Sequence, residues 1–289
     1  MTIALLAAAA VTMATPATAQ KIVETAPPGA MIRLAPGKYD RLQIKRKLWK
    51  RPITIDATDA TLTLSMVQSG GVVVRGGTFA GALGTGGEGY AIQLRQSHHV
   101  IFNGPNIQSS IRGLVIDRST DIRVTRATIT GMRIDGINIA ASQRITITDS
   151  SCSNFDSGEA HPDCIQMWSR PDRGITQDVT LLRNRSIGKM QGFTGFNHVR
   201  NGVNDGGFDR ITIKDSFVAS DKWPRGIFLG DCRNCVVSGN RAETLTGARW
   251  METIEVQNCT ACDVKDNENG RRPDGPGRPL PPVRNRQPG

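Results

Sequence analysis

The stretch MRIDGINIAASQRITITDSSCSNFDSGEAHPDCIQMW, residues 132 to 168, writes one structural unit twice and sets an aspartate at the same point of each copy. Asp135 precedes Gly136-Ile137-Asn138-Ile139, and Asp163 precedes Cys164-Ile165-Gln166-Met167. Each tetrad runs small, apolar, polar, apolar, which is the alternation of a strand with one face buried. Repetition at this length marks a solenoid. If the strands are parallel, equivalent residues of neighbouring coils lie about 4.8 Å apart. The two carboxylates are then expected side by side on the outer surface.

The same tetrad recurs along the chain: Ala91-Ile92-Gln93-Leu94, Gly113-Leu114-Val115-Ile116, Gly226-Ile227-Phe228-Leu229 and Thr253-Ile254-Glu255-Val256, with Gly192-Phe193-Thr194-Gly195 as a weaker member. A second strand follows each one, as in Ile122-Arg123-Val124, Ile145-Thr146-Ile147, Val179-Thr180-Leu181 and Ile211-Thr212-Ile213. Three residues beyond its last apolar position stands Ala127, Ser150, Asn184, Ser216, Asn240 or Asn267. Small and amide residues at that point suit a tight turn whose side chains hydrogen-bond from coil to coil. No stretch after residue 20 sustains a helical period. The fold expected is all-β, a single-stranded right-handed parallel β-helix of eight or nine coils spanning residues 30 to 267.

Both ends differ from the repeat. Residues 1–19 run apolar through LLAAAAV and close on Ala17-Thr18-Ala19, the form of a secretory signal peptide cut before Gln20. The alternative is a buried hydrophobic helix of the mature protein. Residues 270–289 are rich in proline and arginine and carry little apolar area to bury, so a disordered tail is expected. Residues 20–269 are enough for one β-helix domain with a continuous core. The expected location is secreted or periplasmic, without a transmembrane segment. No feature fixes an oligomeric state, and a monomer is the expectation.

The formal net charge is +10, and two segments supply most of it. The tail carries five Arg against one Asp, while Arg41, Lys45, Arg46, Lys47, Lys50 and Arg51 crowd one short run. In an exported protein such a balance favours an acidic polysaccharide or an anionic envelope. Nucleic acid fits poorly, because few aromatics interleave with the basic run to stack on bases. The bland reading of that run is a solvated loop protecting one end of the helix.

Six cysteines in an exported chain point to disulfides. Cys232-x-x-Cys235 and Cys259-x-x-Cys262 fall at matching positions of successive coils, which suits cross-coil bridges and also a structural zinc site. The export signal and the one-coil offset favour the bridges. Cys152 and Cys164 either pair across the loop between them or serve as small buried residues.

The residues just before the first strands form a column: Tyr90, Arg112, Asp135, Asp163, Gln191, Arg225 and Glu252. Beside it runs a second outward column that includes Asn138 and Gln166. His161, Trp168, Lys189, His198, Trp223, Arg249 and Trp250 fall in or near the flanking loops. Carboxylates, cations and aromatic rings along one face describe a sugar-binding groove, since rings stack on apolar sugar faces while charges take hydroxyls and carboxylates. Intervals between equivalent strand ends grow from 23 residues, for Ile116 to Ile139, to 28 for Ile139 to Met167 and 34 for Ile147 to Leu181. Insertions therefore cluster at the aspartate-bearing coils, as they do where a repeat protein builds a binding face.

The opening segment APPGAMIRLAPGKYDRLQIKRK and the style of the repeat resemble the pectate-lyase-like β-helix superfamily. Asp135-Gly136-Ile137-Asn138-Ile139 and Asp163-Cys164-Ile165 are similar to two aspartate motifs of the polygalacturonase family of glycoside hydrolases. Arg133-Ile134 and Pro162 replace residues of those motifs, Gln191-Gly192-Phe193 stands where that family has Gly-His-Gly, and Arg225 alone answers its Arg-Ile-Lys. The resemblance implies an enzyme cleaving glycosidic bonds in a uronate-containing polysaccharide. Asp163 would be the acid, Asp135 its partner and His161 a tuner of the proton inventory, with no cofactor. Asn138, Gln166, Trp168, Lys189, Gln191, Trp223, Arg225, Trp250 and Glu252 would bind substrate. A lyase or epimerase would instead hold substrate or Ca²⁺ at Asp135 and Asp163 and use Lys189, Arg225 or His161 as base. A third reading is a non-catalytic glycan-binding or adhesive solenoid.

Overall fold

The computed structural model describes residues 11–81, 89–156, 158 and 160–271. The expectation for the tail lies outside the described residues, apart from residues 270 and 271. Period-two alternation is realised as parallel strands stacked into a solenoid of about ten turns, the expected right-handed parallel β-helix. A regular coil contributes three strands. One series, from Tyr90–Arg95 through Arg112–Asp117, Ile137–Ala140, Asp163–Trp168, Gln191–Gly195 and Arg225–Gly230 to Thr253–Gln257, carries the tetrads. A second series, including Thr120–Thr125, Gln143–Thr148, Thr176–Leu182 and Phe208–Lys214, forms its own long sheet. Short third strands such as Ser151–Ser153 and Arg185–Gly188 join the first series in one sheet. In the opening coils single long strands, Gly37–Lys45 and Ala60–Val67, span both positions.

The register is the one the repeat implies. Ile92 pairs with Leu114, Leu114 with Ile137, Ile137 with Ile165, Ile165 with Phe193, Phe193 with Ile227 and Ile227 with Ile254. Six of these seven residues are sealed from solvent, whereas Ile254, on the last coil, is half-buried because fewer strands follow to cover it.

The turn ladder is also present. Ser150 Oγ accepts the backbone N–H of Ala127, Asn184 Oδ1 that of Ser150, Ser216 Oγ that of Asn184, Asn240 Oδ1 that of Ser216 and Asn267 Oδ1 that of Asn240, all at 3.0–3.1 Å. The amides add a second bond, Asn184 Nδ2 donating to Ile147 O and Asn240 Nδ2 to Ile213 O, each at 2.9 Å. A matching ladder of Ser97, Ser119 and Ser142 lies at the other turn. Its serines were not singled out in the sequence, where they look like ordinary loop residues.

Two expectations need correction, that no helix follows residue 20 and that the CxxC pairs bridge coils. Residues 11–19 are built into the fold: Val11–Ala14 pairs in parallel with Met31–Leu34, and Ala14 and Ala19 are buried. A helix, Ala19–Thr25, caps this end. Gln20 completes the cap by imitating a strand, its side chain exchanging hydrogen bonds with the backbone N–H and C=O of Gln43. Finally, the CxxC pairs are stacked but do not bridge coils. Cys232 bonds to Cys235 and Cys259 to Cys262, with Cα separations of 6.2 and 6.0 Å, while Cys152 bonds to Cys164.

Candidate functional site

The tetrad strands end on one outer face, and the insertions build two walls along it. Loops entering the strands carry His161, Lys189, Trp223 and Trp250; Trp168 ends its strand, and the loops leaving the strands carry Arg170, Phe196 and His198. Between the walls lies the expected aspartate column, and here the structure departs from the sequence reading. Asp135 is 2% exposed and Asp163 is fully buried. They point away from the core, as alternation requires, but polar neighbours on the same face close over them.

Every oxygen of the pair is engaged. Asp135 Oδ1 accepts the backbone N–H of Asp163 at 3.1 Å, and its Oδ2 accepts Asn138 Nδ2 at 2.9 Å and Arg112 Nε at 3.4 Å. Asp163 Oδ1 accepts the Thr194 hydroxyl at 2.7 Å, and its Oδ2 accepts Gln166 Nε2 at 3.0 Å. Gln166 Oε1 in turn accepts Trp168 Nε1 at 2.7 Å. Burial and the negative Asp135 beside it hold the Asp163 carboxyl well above the ordinary aspartate range, with the Thr194 hydroxyl and the charge of Arg225 offsetting part. Burial raises Asp135 as well, opposed by Asn138, Arg112 and the N–H of Asp163.

This donor set does not suit calcium. A hard cation needs six to eight free oxygens, whereas these four oxygens already accept N–H and O–H donors. Among the described residues no three His, Cys, Asp or Glu side chains converge as metal ligands, in the CxxC region or elsewhere.

The remaining predicted residues divide. Asn138 and Gln166 serve the aspartates, and Gln191 is 4% exposed with Oε1 lacking a partner among the described residues. Glu252 is fully buried, its Oε2 so near Gly226 that a Cβ there would sit 3.0 Å away. Burial pushes its carboxyl up to about 8; the nearby Ser220 hydroxyl offsets part of this without closing a hydrogen bond to either oxygen. His161 is exposed and packs edge-on against Trp223, ring centres 5.6 Å apart. Among the described residues no hydrogen bond joins it to Asp163, so its expected role as proton tuner is not supported. Trp250 is 51% exposed under Arg249, and Lys189 is exposed.

What the sequence missed is how Phe196 and Phe228 join several of its candidates. The Arg225 guanidinium lies 5.1 Å from the ring centre of Phe196 and 4.7 Å from that of Phe228, and those rings stack at 4.9 Å. His198 stacks on the other reach of Phe196 at 6.4 Å and meets Trp168 at 6.4 Å. Asn197 anchors the loop, its Nδ2 donating to Asp231 at 2.6 Å. Arg225, Trp168 and His198 were legible in the sequence as candidates; Phe196 and Phe228, which bring them together, were not.

No protein-family model matches the chain, and no curated protein does. Solved structures are similar to it. The Dettilon tailspike protein superposes over 90% of this chain and 62% of its own, with 13% identity and a TM-score of 0.55. A PL6 family alginate lyase does so over 88% of this chain and 40% of its own, at 12% identity and a TM-score of 0.52. The fold shared with these two structures is the parallel β-helix. This chain spans under two thirds of the length of both those proteins. An alginate lyase from Paenibacillus sp. aligns over 87% of this β-helix and 99% of its own chain, at 16% identity and a TM-score of 0.48. Among the described residues no helix is long and apolar enough to cross a membrane.

Proposed function

We propose that this β-helix binds and acts on an anionic, uronate-containing polysaccharide along the outer face of its tetrad strands. The observation that carries the reading is Arg225, whose guanidinium lies within 5.1 Å of the ring centres of both Phe196 and Phe228, two rings that stack on each other. A cation fixed on apolar rings is prepared to take a sugar carboxylate, while Trp168 and Trp223 offer faces for the sugar rings. A tailspike and a lyase share the fold, which is compatible with carbohydrate chemistry without deciding it.

Elimination fits this arrangement better than hydrolysis. Hydrolysis by two carboxyls requires both to face the scissile bond, and Asp135 and Asp163 are sealed by their own hydrogen bonds. For elimination, Arg225 would neutralise the uronate carboxylate and so acidify the C5 proton. His198, on the same Phe196 ring, is the candidate base. The C5–H pair becomes the C4=C5 double bond as the C4–O bond breaks, and the departing oxygen takes a proton. Asp163 and Asp135 then act as positioning residues, fixing the strand starts from which the walls project.

Polygalacturonate, alginate and dextran incubated with the protein, with ultraviolet absorbance of unsaturated ends and reducing ends followed together, test the reading. Both signals rising on a uronate polymer and not on dextran is the expected result. Reducing ends alone would mean hydrolysis. Binding with neither signal would mean a glycan-binding solenoid, and no binding to any uronate polymer would overturn the proposal.

A further inference from the structure

Several arginines of this solenoid pair with an acid on a neighbouring coil. Arg144 pairs with Asp121 at 2.7 Å, Arg183 with Asp149 at 2.7 Å, Arg210 with Asp178 at 2.6 Å and Arg233 with Asp209 at 2.6 Å. Asp117 gathers more of them than any other acid among the described residues. Three guanidiniums, of Arg95, Arg118 and Arg173, converge on it at 3.5, 3.3 and 3.6 Å. The carboxylate is buried, while the arginine side chains stay 33–50% exposed. Arg173 also pairs with the exposed Asp172 at 3.2 Å, so three guanidiniums meet two carboxylates and the cluster keeps one positive charge in excess, facing solvent. Arg118 and Arg173 also line a cavity of about 560 Å³ with His98, Thr120, Gln143 and Gln177.

The position ties this cluster to the face already described. Asp117, Ala140 and Trp168 occupy successive rungs of one column, which puts the cluster roughly 10 Å from the Trp168 rung. Arg173 comes from the loop that leaves the strand Asp163–Trp168, the same loop whose Arg170 stacks on Trp168 at 5.0 Å. The same column continues to Lys45 at the capped end through Arg95 and Val67. Lys45, Arg46, Lys47 and Lys50 have no carboxylate partner within 4 Å among the described residues, so the excess of cations persists in that direction.

The geometry points to the Arg95, Arg118 and Arg173 cluster as an anionic subsite, taking a carboxylate or sulfate of a polyanionic glycan that extends from the Trp168 wall toward the capped end. The inference rests on the proposed function and adds a second, non-reacting contact to it. A solvated surface cluster or a purely structural clasp would need no surplus cation. A subsite does, because the surplus is what an incoming anion meets.

Equilibrium binding of polygalacturonate and dextran at low salt, with wild type and the variants Arg118→Gln, Arg173→Gln and Asp117→Asn, tests it. Each arginine change should weaken polygalacturonate binding roughly two- to fivefold, the worth of a half-exposed charge contact, with the difference shrinking as salt is added. Asp117→Asn should tighten binding, since it frees the guanidiniums; a structural clasp would show the opposite. If Asp117→Asn does not fold, Arg173→Gln, on an exposed loop, decides alone. Unchanged binding by both arginine variants would overturn the subsite and leave the proposed function standing. No wild-type binding to any uronate polymer would overturn both, as would the same arginine dependence on anionic phospholipid vesicles without polymer binding.

Discussion

Asp135 of one coil accepts the backbone N–H of Asp163 of the next at 3.1 Å. Two carboxylates that the repeat places in one column are thus joined as acceptor and strand start, rather than standing together in solvent. The first carboxyl fixes where the second strand begins, and the second is left buried beside a like charge.

Removal of the two groups should therefore have different effects. Asp135→Ala strands the N–H of Asp163 and the amide of Asn138, at about 1–3 kcal/mol for each buried donor, and should lower the denaturant midpoint clearly. Asp163 has a raised carboxyl in the fold, so its contribution is fully present below the unfolded aspartate range and is lost as pH rises through the folded value. Asp163→Asn should compare progressively better with wild type as pH rises. Denaturation curves of both variants from pH 4 to 9 check this, and a constant difference for Asp163→Asn would contradict it.

Glu252 gives a second pH effect. Its carboxyl titrates at about 8 in the fold against an ordinary 4.5, so stability is full below the ordinary value, falls as pH rises between the two, and is lowest above 8. Each unit of that gap is worth about 1.4 kcal/mol. Glu252→Gln should match wild type near pH 4 and melt at higher temperature than wild type at pH 8 to 9. Melting scans across that range decide it.

The turn ladder predicts a position-specific loss. Asn184→Ala removes the acceptor for the Ser150 N–H and the donor to Ile147 O, at a cost on the order of 2–4 kcal/mol for two buried bonds. Ala127, which ends the ladder, makes no such side-chain bond, so Ala127→Ser should be close to neutral. Chemical denaturation of the two variants measures the contrast.

Disulfide mapping tests the corrected pairing. Under non-reducing conditions the tryptic peptide from Trp250 to Lys265 should carry Cys259 and Cys262 closed on each other, lighter by two hydrogens than its reduced form. A link from that peptide to Cys232 or Cys235 would restore the cross-coil arrangement.

The repeat by itself determined the parallel β-helix, the pairing of Leu114, Ile137, Ile165 and Ile227, and the ladder from Ala127 to Asn267. Each of these follows from local alternation and from the constant rise between stacked coils. The cap was hidden because seven residues, Ala19–Thr25, are too few to show a helical period. Tertiary structure alone decided which outward residues stay outward. Alternation tells a side chain to leave the core, but not whether Arg112, Asn138, Gln166 and Thr194 will close over it, and that closure turned Asp135 and Asp163 from surface groups into buried ones. It likewise brought Arg225 to Phe196 and three arginines to Asp117, because loops inserted far apart in the chain are folded onto neighbouring rungs, where spacing in the sequence no longer measures distance.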